Sequence, residues 1–397
     1  MREARLREAL LDAQVPDAAG AEERARRMAR AAYAASPPAL RPRRRVGARR
    51  ELRVALVIGL LAVAAISPAG AAVRDWVGET VDSPRQPALP ALTSLPAPGA
   101  LLVDSARGPW IVREDGSKRL LGAYSQSAWS PRGLFVAATE PGQLLALDPQ
   151  GEVRWTVTRL GPVSDPAWSP DGYRVAYLNA DTVRVVGGDG TGDRPIAGAV
   201  APVTPAWRPG RRHVLAFAER GGGLRAVDAD SGAALFATPP GPVPTGIAWS
   251  ADGERLLVAE PSRLRVLDRR GEPVWSRPAP AGREYGAAAL IPGTDRVAVV
   301  LATRAAPSRS ELLMVGPGGF ATRLFAGPGR FSGVAPSPDG GSLLLAWQSA
   351  DQWLFLDLAN PQRVLAVSGI SAQFAPGTTS LPPFPEVAAW CCPPGAG

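Results

Sequence analysis

One pattern recurs through most of this 397-residue chain and leaves few folds open. PAWSPDGYRVAYL at 166–178 returns as SAWSPRGLFVAAT (127–139), PAWRPGRRHVLAF (205–217) and IAWSADGERLLVA (247–259). Looser copies are AALIPGTDRVAVV (288–300), VAPSPDGGSLLLA (334–346) and AQFAPGTTSL (372–381). The aligned position is Trp129, Trp168, Trp207, Trp249, Leu290, Pro336 and Phe374, at steps of 38 to 46 residues. Each unit has room for four short strands, and a period near 40 residues with four strands per unit is the mark of a β-propeller.

The local chemistry agrees. An apolar run, Ser-Pro-Asp-Gly and a second apolar run make a hairpin: Pro presets φ, Asp bonds its own backbone, and Gly takes the positive φ. A flat Trp just before the turn suits packing between blades, which gives Trp129, Trp168, Trp207, Trp249 and Phe374 structural roles. The second half of each unit repeats as well, in LLALDPQGEVRW (144–155), LRVLDRRGEPVW (264–275) and LRAVDADSGAALF (224–236). The 43 Gly and 42 Pro punctuate many short elements, which excludes a long-helix protein.

The Trp-Ser-Pro-Asp-Gly units resemble the WD-like repeats of bacterial TolB-type propellers. The Leu-Asp-x-x-Gly-x-x-x-Trp units are similar to the hairpins of quinoprotein-type propellers and of the outer-membrane barrel-assembly lipoprotein. Together the resemblances cover about residues 100–381. Such repeats specify a fold and leave function open.

Six intervals give six complete blades. LLVDS (101–105), WIVRE (110–114) and KRLLG (118–122) supply three strands without a leading one, and Gly369–Ala375 supplies a leading strand without followers. The expectation is an all-β, seven-bladed propeller closed by pairing the chain ends, which removes exposed sheet edges. Six or eight blades also fit, since Leu381–Trp390 can add a strand. Residues 382–397 then form a Pro-rich tail carrying Cys391 and Cys392, with a tail disulfide or intermolecular pairing as their expected chemistry.

The net charge of +8 is concentrated at one end. Residues 1–53 hold 14 Arg against 7 acidic residues, while the rest is nearly balanced, so no nucleic-acid surface is implied. Lys118 is the single lysine, an Arg bias of the kind seen in high-GC bacterial genomes. Between Arg53 and Arg74 lie twenty uncharged residues, enough for a transmembrane helix over 53–73. Arg43, Arg44, Arg45, Arg49, Arg50 and Arg53 precede it, so the positive-inside rule places the N-terminus in the cytoplasm and the remainder outside. A cleaved signal peptide is the competing reading, but a charged region of about fifty residues ahead of the apolar stretch is too long for one. Residues 74–99 read as a Pro-rich linker. Residues 1–52 read as a basic cytoplasmic segment with two short helices, which either meets a partner through residues 1–35 or rests on anionic lipid.

No Gly-x-Ser-x-Gly elbow, Walker loop or His-Glu-x-x-His occurs in the sequence. His213 reads as a satisfied structural residue. Gly187–Asp193 reads as an outer hairpin turn in preference to a calcium turn. Asp171, Asp252 and Asp339 serve their own turns. The expectation is a non-enzymatic, membrane-tethered module with no cofactor or metal, binding a protein or glycan outside the cell. The alternative is a transmembrane regulator, similar in layout to membrane-spanning anti-sigma factors but lacking their zinc-binding motif. An extracytoplasmic enzyme ranks third. The binding surface is expected on the loops between each blade's last strand and the next Trp strand, where Asp165, Arg283, Glu284, Tyr285, Arg330, Phe331 and Gln373 combine charge with aromatic area.

Overall fold

The computed structural model describes residues 89, 91–376 and 382–392, and these form seven four-stranded antiparallel sheets. Blades 1 to 6 follow in order over 127–158, 163–197, 206–237, 246–278, 283–328 and 333–368. Blade 7 is shared between the chain ends: Glu386–Cys391 pairs with Ala100–Ser105, followed by Gly108–Val112 and Lys118–Leu120. Among the described residues no helix is long and apolar enough to cross a membrane. The proposed span at 53–73 and the cytoplasmic segment at 1–52 lie outside them.

The first strands of successive blades touch one another all the way around, including Glu386–Cys391 against both Gly333–Pro336 and Ser127–Trp129. These strands therefore surround the axis and the ring is closed. Near the axis the blades converge, and only a small side chain fits. Alanine accordingly precedes the motif position in every blade, as Ala128, Ala167, Ala206, Ala248, Ala289, Ala335 and Ala389. Blades 5 and 6 have lost the motif Trp and kept this alanine.

Seven hydrophobic clusters fill the seven spaces between blades. Trp168 joins Ala137, Leu144 and Val157 of blade 1 to Val175 and Tyr177 of blade 2. Trp207 and Trp249 do the same one and two blades further on. All three are buried, and Trp129 is half-buried against blade 7. The Ser-Pro-Asp-Gly turns satisfy themselves: Ser169 Oγ donates to Asp171 Oδ1 (2.6 Å) and accepts the Arg174 N–H (2.9 Å), while Gly172 adopts φ +80°.

Two expectations about the ends are corrected. The closing strand is Glu386–Cys391; Ile370–Gln373 of the expected 369–375 strand is instead a short helix. The motif position of blade 7 is thus Trp390, and Phe374 is a buried core residue packed on Trp110 and Trp353. Ala389-Trp390 repeats the Ala-Trp pair of blades 1 to 4, but it stands 54 residues after Pro336, outside the regular spacing. Glu386–Cys391 of the expected tail therefore belongs to the ring, and a disulfide joins Cys391 to Cys392 where blades 1, 2 and 6 have Ser-Pro.

The linker is also partly ring. Leu92 and Leu95 are buried in the cluster between blades 6 and 7, and Leu89 bridges to Val367.

Candidate functional site

In an antiparallel four-stranded blade, the first and third hairpin turns emerge on one face and the remaining connections on the other. Sequence expectation placed binding on the face of the blade-to-blade connections. The structure spends several of those residues on the fold. Tyr285 is only 2 % exposed within the blade 4–5 cluster, and Phe331 is 3 % exposed against Phe325 and Trp347. Both are core residues, not contact residues. Burial also pushes the Tyr285 hydroxyl above its ordinary pKa. Arg283, Glu284 and Tyr285 belong to the strand Arg283–Leu290, which begins inside the stretch expected to be a connecting loop. Arg283 pairs with Glu311 at 3.0 Å and donates to the Leu301 carbonyl. Gln373 holds the former linker, accepting the Leu92 N–H and donating to the Ser368 carbonyl.

Asp165 sits at a bulge with φ +54°, and its backbone N–H donates to Gln126 Oε1 (2.7 Å). Its carboxylate accepts the Thr204 hydroxyl (2.8 Å). Gln126, Asp165 and Thr204 are 39 residues apart, the same position in three successive repeats, so the chain of bonds ties blades 1 to 3 together. Glu284, paired with Arg304 (3.3 Å), and exposed Arg330 remain accessible on this face. Asp104 is half-buried nearby and accepts both the N–H and the hydroxyl of Ser127. Burial dominates there and pushes its carboxyl up to about 6.

The opposite face carries an open cleft of about 1120 Å3 between blades 1 and 2. Its inner end is formed by the first turns of both blades, with Leu134, Phe135 and Tyr173 exposed. Phe135 stacks on Trp168 at 6.3 Å between ring centres, which fixes its plane. The outer end is formed by Asp148, Arg154, Trp155 and Arg194.

Glycine makes the room. Gly172, Gly187, Gly188 and Gly192 all line the cleft. A side chain at Gly188 would bring Cβ to 2.3 Å from the Gly172 carbonyl oxygen. The Trp155 indole N–H donates to the Gly188 carbonyl (2.8 Å), locking the blade 2 turn against blade 1. In that turn Asp189 Oδ1 accepts the Thr191 N–H and hydroxyl, the work of a hairpin. Asp193 is taken up by Arg159, Arg184 and the Tyr177 hydroxyl.

Unpartnered polar groups in the cleft are mostly donors. Asp148 accepts two backbone N–H groups and Arg154. Asp230 accepts Arg174, Arg194 and His213, and Asp171 accepts the other ring nitrogen of His213 at 2.7 Å. His213 is therefore a satisfied bridge between blades 2 and 3. Burial works against its charged form, but the Asp230 and Asp171 carboxylates outweigh it and hold its pKa above the ordinary value. By contrast, Nε and Nη1 of both Arg154 and Arg194 have no partner among the described residues.

No family model matches the chain, and no curated protein matches it. Solved structures do. The Kluyvelomyces marxianus Hsv2 structure aligns with a TM-score of 0.50 at 11% identity, over 68% of this chain and 93% of that one. The Myceliophteria thermophila Cps50 (Swd1) β-propeller domain gives 0.49 at 15%, over 62% and 86%. Hydrazine synthase of Kuenenia stuttgartiensis gives 0.48 at 17%, over 58% and 76%. At these identities the likeness speaks to architecture alone, and with the closed ring it supports a seven-bladed β-propeller.

Proposed function

We propose that the chain is a non-enzymatic binding module of the cell envelope, tethered by residues 53–73 with the propeller outside and residues 1–52 in the cytoplasm. The cleft between blades 1 and 2 carries the binding part of this reading, because it exposes Leu134, Phe135 and Tyr173 beside arginines. Tyr and Arg are among the residue types that dominate interface energies. Twenty uncharged residues behind a run of arginines support the tether.

Fusions to alkaline phosphatase, which is active only outside the cytoplasm, test the topology. Activity is expected for a fusion after residue 397 and none for one after residue 50; the reverse pattern overturns the orientation. The two helix-like pieces in 1–35 favour a second reading, a transmembrane regulator with that segment as output. Capture of an RNA polymerase sigma subunit by residues 1–50 supports the regulator, while retention on anionic vesicles alone supports the plain tether.

A further inference from the structure

We propose that the cleft between blades 1 and 2 binds an extended protein segment in which carboxylates alternate with apolar or aromatic side chains. This rests on reading the propeller as a binding module, and it names the occupant.

The argument starts from what the cleft leaves unsatisfied. Of the carboxylate oxygens in and beneath it, only Asp189 Oδ2 lacks a partner among the described residues: Asp148 is taken by its turn and Arg154, Asp189 Oδ1 by Thr191, and Asp230 by two arginines and His213. The guanidiniums of Arg154 and Arg194 keep N–H groups without partners among the described residues. A guanidinium fork is matched by the two oxygens of a carboxylate. The surplus of donors thus selects an acceptor and disfavours a basic ligand.

The apolar requirement comes from the inner end. Tyr173 is 68 % exposed, Leu134 51 % and Phe135 36 %, three adjoining apolar surfaces on one wall and its neighbour. Covering them yields free energy in proportion to area, and the stack on Trp168 holds Phe135 in place beforehand. The cleft runs outward from these turns to Arg154 and Arg194 at the start of the outer strands. An occupant therefore has to present apolar and acidic groups in turn along its length. An extended segment does this, since its side chains alternate and its backbone can lie along the glycine-lined wall. A neutral sugar would cover the aromatic end but leave the arginine forks without their charged match.

The test uses the full chain in detergent micelles and a displayed library of randomised short peptides. The wild type is expected to enrich peptides rich in Asp and Glu flanked by aromatic or aliphatic residues. Binding of the enriched peptides should weaken about tenfold or more in Tyr173→Ala and in Arg154→Gln, and should fall as salt rises. Both side chains are exposed, so an unchanged unfolding midpoint shows that the variants are folded. Glu284→Gln with Arg330→Gln, on the other face, should leave binding unchanged. Enrichment of basic peptides, no enrichment at all, or equal loss from the Glu284 and Arg330 changes overturns the proposal. So does a glycan array on which only neutral oligosaccharides bind. The phosphatase fusions are read independently, so failure here leaves the tether reading standing or falling on its own result.

Discussion

The tryptophans that mark the repeat act between blades. Trp168 and Trp249 each bury their rings across a blade junction, so Trp168→Ala or Trp249→Ala is expected to cost ~3–5 kcal/mol in urea unfolding. Unchanged midpoints would remove them from the core. Two titrating residues predict a loss of stability with rising pH, each in its own window. His213 has a raised folded pKa, so its stabilising contribution is complete below its ordinary value of 6.5 and lost as pH rises through the higher folded value. The stability difference between wild type and His213→Gln should therefore shrink with rising pH across that range. Asp104 has a folded pKa raised to about 6 from 3.8, so the native state is favoured by its protonated form. Wild type should lose stability relative to Asp104→Asn as pH climbs from 3.8 to about 6 and hold level above it. A flat difference curve for either variant would contradict the burial and pairing described for that residue.

At the level of elements, closure and the former linker decide integrity. Truncation after Pro385 removes the strand that pairs with Ala100–Ser105 and leaves an open edge in blade 7. Such a chain should lose its single cooperative unfolding transition, whereas removing only residues 393–397 should leave it intact. The buried leucines of the segment before blade 7 extend the folded unit past residue 100. Leu92→Ala and Leu95→Ala are each expected to cost ~2–5 kcal/mol, measured by chemical denaturation. Costs near zero would restore that stretch to a free stalk. The turn of blade 2 shows how an element can be shaped for its neighbour: Gly188→Ala should distort the contact with Gly172 and so close or misalign the cleft.

For the whole molecule, what was legible in the sequence was whatever each repeat determines within itself. The hairpin chemistry around Ser169 and Asp171, the burial of Trp168, Trp207 and Trp249, and the six blades that run in order along the chain all follow from local pattern plus period, because every blade faces the same neighbours. The seven alanines beside the motif position were equally available, and they would have located Trp390 where spacing failed. Tertiary structure decided the rest. The partner of Ala100–Ser105 lies at the far end of the chain, and no local signal states which distant strand it meets. Tyr285 and Phe331 looked like loop aromatics in a linear reading; only the packing of blades 4 to 6 shows them enclosed. The cleft belongs to no single repeat. It exists because turns from two blades meet where Gly172, Gly187, Gly188 and Gly192 leave space, beside arginines whose carboxylate partners are already engaged. A periodic sequence specifies its blades through local contacts, while a site built from the differences between blades appears only once the ring brings them side by side.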